Sequence, residues 1–207
     1  GACQKPKEVN GNWNHDIKLW DLNNRVKLQD KAPLCILRGH KGGVSGLVLL
    51  ADAIFASSSA DKTLKIWDAH AQEALATLEG HDDYVYSLAL CSENQLVSGS
   101  RDKTVRLWDA RSYKECGTLQ MPKSLEAHAS TVHDVASYQE FGVLTASRDA
   151  YVKLWDRRQP GRPIKILDTE DSYAYSVTCV ADGLIAAGTL AESSRGKSGN
   201  VRLWELK

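Results

Sequence analysis

Histidine and aspartate, the residue types most often used for acid–base and metal chemistry, recur in this sequence at regular positions. Each of three histidines lies 27 residues before a tryptophan, in the pairs His40 and Trp67, His81 and Trp108, and His128 and Trp155. The six histidines invite a search for a catalytic or metal site. Because one spacing occurs three times, these three histidines instead indicate a repeated structural unit.

The remaining histidines do not form a site with metal-ligand spacing. His15, His70 and His133 have no Cys, Asp or His at such a spacing. The segment Gly196-Lys197-Ser198 resembles the end of a phosphate loop, but the glycine that a phosphate loop requires would fall at Ala191. The sequence contains no GxSxG or GxGxxG motif. We therefore predict no enzyme activity, no catalytic residue, no metal and no cofactor.

The elements that hold these residues are repeated hairpins. In SGSRDKTVRLWD (98–109), a polar turn precedes a strand in which Val105 and Leu107 alternate with Arg106 and Trp108. Related segments occur at 12–21, 58–68, 146–156 and 197–205. Their tryptophans are separated by 47, 41, 47 and 49 residues, a period that is typical of a propeller or solenoid array.

The repeat of Gly-His, alternating strand, turn Asp and Trp-Asp resembles the WD-repeat β-propeller family. The resemblance implies an all-β fold with about four and a half four-stranded blades, as part of a larger, seven-bladed type of ring. We expect residues 1–207 to form a single propeller domain or a partial propeller. Its units are expected at about 1–33, 34–75, 76–121, 122–163 and 164–207. In the third unit, strands are predicted near 85–91, 95–99, 104–108 and 114–119.

The resemblance also implies a structural hydrogen-bond network in each well-formed blade. In this sequence its members are His40, Ser57, Asp61 and Trp67; His81, Ser98, Asp102 and Trp108; and His128, Thr145, Asp149 and Trp155. The two end units depart from the pattern. Asn10 and Asn14 occupy the Ser and Asp positions of the first unit, and Ala187 occupies the Ser position of the last. We expect the end blades to depend on apolar packing.

Alternation around a buried valine at the start of each inner strand predicts a partner-binding surface. In the family, the neighbours of that valine and the residue before the turn Asp lie on the top face, around the channel. These positions hold Trp13, Tyr84, Tyr86, Arg101, His133, Arg148, Tyr173 and Tyr175. Aromatic residues and arginine dominate interface hot spots, so we predict that this face binds a protein or peptide. An alternative is that some of the aromatic side chains pack between blades.

Two further interpretations stay open. The segments 96–111 and 143–158 both end in WDxR and resemble a box found in WD-repeat substrate receptors of cullin–RING ubiquitin ligases. There, Arg111 and Arg158 would contact the ligase adaptor. The second interpretation is an RNA- or ribosome-associated propeller, because lysines and arginines recur on the third strands.

Composition restricts the partners. The chain has 26 basic and 26 acidic side chains, which disfavours nucleic acid and an anionic membrane surface as partners. No apolar run approaches the roughly 18 residues of a membrane span. Five cysteines without a CxxC pair favour free thiols and a cytoplasmic or nuclear location. We expect one or more protein partners, within a multi-subunit complex, and no small-molecule substrate.

Overall fold

Every regular element of the computed structural model is a β-strand, in the residues that the structure describes: 15–20, 32–112, 114–118, 128–159, 161–193 and 196–206. The prediction of an all-β fold is confirmed. The strands are β1 (Ile17–Leu19), β2 (Cys35–Leu37), β3 (Val44–Ala51), β4 (Ile54–Ser59), β5 (Leu64–Asp68), β6 (Glu73–Leu78), β7 (Val85–Ser92), β8 (Gln95–Ser100), β9 (Val105–Asp109), β10 (Lys114–Thr118), β11 (Val132–Tyr138), β12 (Gly142–Ser147), β13 (Tyr151–Asp156), β14 (Lys165–Asp168), β15 (Tyr173–Ala181), β16 (Leu184–Ser193) and β17 (Gly196–Glu205).

These strands form five antiparallel sheets that follow one another along the chain. The first sheet contains β1 and β2, the second β3 to β6, the third β7 to β10, the fourth β11 to β14, and the fifth β15 to β17. In the three four-stranded sheets, each strand pairs with the next strand in the sequence. The strands predicted for the third unit agree with β7 to β10 to within one residue at each end.

Buried apolar side chains fill the space between successive sheets. Val105 and Leu107 of the third sheet pack with Val132 of the fourth sheet. Trp108 points to the other side of β9 and packs with Leu64 of the second sheet. Because the inner sheets have a neighbour on each face, both sets of alternating side chains on a third strand are removed from water.

The turn between the second and third strands of each four-stranded sheet is built from its aspartate. Oδ1 of Asp61 accepts hydrogen bonds from the backbone N–H of Thr63 at 3.1 Å and from its hydroxyl at 2.7 Å. The residue after the turn Asp has a left-handed backbone in all three blades, with φ of 74° at Lys62, 73° at Lys103 and 69° at Ala150. Local side-chain bonds to the backbone stabilise this tight reversal.

The fifth sheet departs from the others in its hairpin. Strands β16 and β17 stay paired as far as Ser193 and Gly196, four pairs beyond Thr189 and Asn200. Thr189 corresponds to Ser59 of the second sheet, where the turn begins. The paired ribbon therefore extends about 13 Å further, at roughly 3.3 Å per residue.

Candidate protein-binding face

A chain of four hydrogen-bonded side chains is repeated in the second, third and fourth sheets. In the third sheet, Nδ1 of His81 lies 2.7 Å from Oδ2 of Asp102, and Nε2 lies 2.7 Å from Oγ of Ser98. Nε1 of Trp108 donates to the same Oγ at 2.8 Å. The other two chains are His40, Ser57, Asp61 and Trp67, and His128, Thr145, Asp149 and Trp155, with corresponding distances between 2.7 and 2.9 Å.

Burial and hydrogen bonding decide the charge state within these chains. Burial lowers the pKa of His40 and of His128, and the neighbouring carboxylates oppose this only in part. Burial alone would raise the pKa of Asp61, but hydrogen bonds from Thr63, from the Lys41 N–H and from His40 hold it at about 2. A neutral imidazole therefore donates from Nδ1 to an ionised carboxylate and accepts from the hydroxyl at Nε2.

The three network histidines are inaccessible to a ligand. Their side chains are 0%, 0% and 1% exposed at His40, His81 and His128. Both ring nitrogens have partners inside the blade, so each histidine connects the entry of the blade to its second strand and its turn. This arrangement explains the constant distance from His to Trp as a requirement of the fold.

The turn aspartates mark one end of the sheets, which we call the top face. The inner strands β7 and β11 begin there. The backbone N–H of Arg101 donates to the carbonyl of Tyr84 at 2.9 Å, and that of Arg148 donates to the carbonyl of Thr131 at 2.9 Å. Val85, the residue after Tyr84, is 0% exposed. The alternation around this buried valine directs its neighbours away from the core.

Four rings on the top face form a continuous line across three sheets, which we call the aromatic row: Tyr84, Tyr86, His133 and Tyr175. The ring centroids of Tyr84 and Tyr86 are 6.5 Å apart, and those of Tyr86 and His133 are 5.3 Å apart. His133 stacks on Tyr175 at 4.4 Å with an interplanar angle of 25°. Tyr84 and Tyr175 are each 40% exposed. Ring-to-ring contact and solvent exposure therefore occur together in these side chains.

Two arginines cover tyrosine rings on the same face. The guanidinium of Arg101 lies 5.6 Å from the ring centroid of Tyr84, and its side chain is 54% exposed. Its Nε is 3.6 Å from Oδ2 of Asp83. The guanidinium of Arg148 lies 4.8 Å from the ring centroid of Tyr173. Within the part of the chain that the structure describes, Arg148 is exposed and forms no ion pair.

His133 lies inside the aromatic row, between Tyr86 and Tyr175. Burial lowers its pKa, the positive charge of Arg148 lowers it further, and Asp134 partly opposes both effects. Its Nε2 atom is buried and finds no hydrogen-bond partner among the described residues. The ring is therefore held neutral between two tyrosines.

The repeated segments match a known protein family. Three stretches match the family described as WD domain, G-beta repeat: residues 31–68, 72–109 and 119–156, which together cover more than half of the chain. The chain belongs to the WD40-repeat family. The recognition of a WD-repeat protein from its sequence is therefore confirmed. A comparison with curated proteins finds no match.

The WD40 repeats are offset from the sheets by one strand. The match at 31–68 contains β2, which pairs with β1 in the first sheet, and then β3 to β5 of the second sheet. The match at 72–109 is arranged in the same way, with β6 followed by β7 to β9. Each such repeat therefore ties one blade to the next.

The fifth sheet of this WD40 array differs from the inner sheets at the network positions, and the network positions of the first unit are not described. Trp13, Asn10 and Asn14 lie outside the described residues. In the fifth sheet, Ala187 is 2% exposed and cannot form the hydroxyl link. Nη2 of Arg202 instead lies 2.9 Å from Oε2 of Glu170, the residue near the His position of this blade.

The arginines of the two WDxR boxes lie at the opposite end of the sheets and differ from each other. Arg158 is paired with Asp156 at 2.6 Å and covers the ring of Phe141 at 3.9 Å. It also borders a cleft of about 670 Å³. Arg111 is exposed, and the structure describes only a backbone hydrogen bond for it, from its N–H to Oδ1 of Asp109 at 2.7 Å.

Basic residues of two third strands contact groups of their own blades. Nζ of Lys65 donates to Thr77 at 2.7 Å, and Nη1 of Arg106 pairs with Glu115 at 2.6 Å. Lys153 is 2% exposed. These side chains do not form a free basic stripe.

Asp134 is a position that sequence reasoning missed. Its Oδ1 accepts from the hydroxyl of Ser87 at 2.6 Å, and its Oδ2 accepts from the backbone N–H of Val177 at 2.9 Å. One carboxylate therefore ties β7, β11 and β15 together beside the aromatic row. The equivalent positions hold Gly46 and Ser87, so the repeat pattern has no shared residue type that would indicate this role.

Over the residues that the structure describes, no cluster of three or more His, Cys, Asp or Glu side chains could hold a metal ion. Over the same residues, no helix is long and apolar enough to cross a membrane.

Proposed function

We propose that this WD40-repeat protein is a non-catalytic scaffold that binds a protein or peptide through its top face. WD40 repeats generally mediate protein–protein interactions, and proteins built from them are typically non-enzymatic. The observation that carries the proposal is the aromatic row together with the two arginines that cover tyrosines beside it.

The residue types on this face support a binding role. Tyrosine and arginine each bury a large area on binding and keep a polar group for hydrogen bonding. Tyr84 and Tyr175 are 40% exposed although each lies beside another aromatic ring. The exposed rings of Tyr84 and Tyr175, joined through Tyr86 and His133, provide an apolar surface with a polar rim, which is the composition of an interface.

No contact among the described residues specifically supports the ligase interpretation or the RNA interpretation. In the ligase interpretation, Arg158 would have to leave Asp156 and Phe141 before contacting an adaptor. Of the two box arginines, Arg111 is the one whose exposed side chain has no such partner among the described residues. In the RNA interpretation, Lys65 and Arg106 would have to leave their partners within the blade.

The proposal also includes the cellular compartment of the protein and the assembly to which it belongs. Cys35, Cys91, Cys116 and Cys179 are free thiols in the described part of the chain, which supports a reducing compartment, the cytoplasm or the nucleus. We place the partner within a multi-subunit complex, and we propose that residues 1–207 form a single propeller domain or part of one.

The test compares a variant of the top face with a variant of the opposite end of the sheets, each expressed in the cells that normally make the protein. Affinity purification with quantitative mass spectrometry would use the unmodified protein, the top-face variant Tyr84→Ala with Arg101→Ala, and the control Arg111→Ala. We expect the top-face variant to lose co-purifying proteins at least about fivefold, as is usual when hot-spot residues are truncated. Both variants should retain the melting temperature of the parent, because the changed side chains are exposed.

Two results would contradict the proposal. Unchanged partners in the top-face variant would remove its basis. Loss of a ligase adaptor in Arg111→Ala alone would support the ubiquitin-ligase function instead.

A further inference from the structure

We propose that the top face binds an extended acidic peptide, which lies along the aromatic row and places carboxylates against Arg101 and Arg148. This inference rests on the proposed function, because it names the chemistry of the partner for the same face. It follows from the order of the groups along the row and from their charge.

The row separates two cationic positions. Arg101 covers Tyr84 at one end, and Arg148 covers Tyr173, two residues before the last ring, Tyr175. Ring contacts of 6.5, 5.3 and 4.4 Å join Tyr84 to Tyr175 along the row. An extended chain advances about 3.3 Å per residue, so the row accommodates up to about five residues of the ligand.

The surface between the arginines suits apolar or aromatic side chains. His133 is held neutral between Tyr86 and Tyr175, with centroid distances of 5.3 and 4.4 Å. The exposed rings of Tyr84 and Tyr175 provide stacking area, and the neutral His133 ring adds no positive charge between them. The residues of the ligand between the two carboxylates are therefore expected to include an aromatic or aliphatic side chain.

Charge favours a carboxylate over a more highly charged group. A guanidinium can bind a carboxylate or a phosphate with two parallel hydrogen bonds. Asp83 already lies 3.6 Å from Nε of Arg101, and Asp134 lies beside His133. These carboxylates would repel a dianionic phosphate or a nucleic-acid backbone more strongly than a single negative charge. Arg148, which has no ion pair among the described residues, leaves one guanidinium free for the ligand.

The experiment is a selection of random heptapeptides displayed on phage against the full chain. We expect enriched sequences to carry two Asp or Glu residues, up to about five positions apart, with an apolar residue between them. The selected peptide, labelled with fluorescein, should bind about tenfold more weakly to the variant Arg101→Ala with Arg148→Ala, since each partly exposed charge pair contributes modestly. Its Asp→Asn and Glu→Gln form should bind the parent equally weakly.

The control variant is Arg111→Ala at the opposite end, which should bind the selected peptide with parent affinity. Enrichment of neutral or basic sequences, no enrichment over an empty surface, or equal binding by the double arginine variant would overturn the inference. Tighter binding of a phosphoserine peptide or of oligouridine would also overturn it. If selected peptides are not acidic but cellular partners still depend on Tyr84 and Arg101, this inference fails while the proposed function stands.

Discussion

Removing the hydroxyl of Thr145 tests whether the buried networks hold the blades together. Oγ1 of Thr145 lies 2.7 Å from Nε2 of His128 and accepts from Nε1 of Trp155 at 2.9 Å, and the residue is 0% exposed. Thr145→Val keeps the shape of the side chain but leaves one buried donor and one buried acceptor without a partner. Each such group costs about 1–3 kcal/mol, so we expect the free energy of unfolding to fall by about 2–5 kcal/mol.

The matched control is Thr145→Ser, which keeps the hydroxyl and loses one methyl group. Burial of a methyl group contributes about 0.8 kcal/mol, so this variant should lose about 1 kcal/mol. Urea unfolding of both variants and the parent, followed by tryptophan fluorescence, gives the two differences. The valine variant should be less stable than the serine variant by about 1–4 kcal/mol.

The reverse order of stability would refute this reasoning. If Thr145→Val were as stable as Thr145→Ser or more so, apolar packing of the sheets would outweigh the hydrogen-bond chain. The network would then be a by-product of the fold and not one of its supports.

Two further predictions concern acidification and sheet spacing. Because burial lowers the pKa of His128 below its ordinary 6.5, the folded state binds fewer protons than the unfolded chain, and stability should fall as the pH drops below about 6.5. A second loss should follow between about pH 4 and pH 2, where Asp61 becomes protonated. Equal urea midpoints at pH 8 and pH 5 would contradict the first step. Separately, Gly99→Ala would place a Cβ 2.7 Å from a valine side chain of the fourth sheet and should cost about 1–3 kcal/mol in urea unfolding. Gly43→Ala is its control, since a Cβ there meets no atom within 4 Å, and an equal cost in both would show that contact between the sheets is not the cause.

The blades were predictable because their signals are local. The turn Asp, the alternating third strand and the tryptophan lie within about ten residues, and repetition at a constant spacing reinforces each copy. The offset between repeats and sheets has no such signal. It arises from β2 pairing with β1, across residues that the repeat pattern does not connect.

The candidate face was only partly predictable. Alternation identified Tyr84, Tyr86 and His133 as residues that point away from the core, one repeat at a time. It could not indicate that rings from three repeats would touch, since that depends on how closely adjacent inner strands approach. Asp134 was missed for the same reason, because its partners Ser87 and Val177 lie 47 and 43 residues away in the sequence.

By itself, the sequence determined the family and the all-β fold, and it predicted the residue types at the top of the third, fourth and fifth sheets. Those properties follow from patterns of period two and from turn chemistry, which operate over short stretches of chain. Only the tertiary structure decided that four rings form one line, that Arg158 is occupied by Asp156 and that Arg148 is not so paired within the described residues. Contacts between side chains of different blades depend on the packing of one sheet against the next, and that packing brings together residues far apart in the chain.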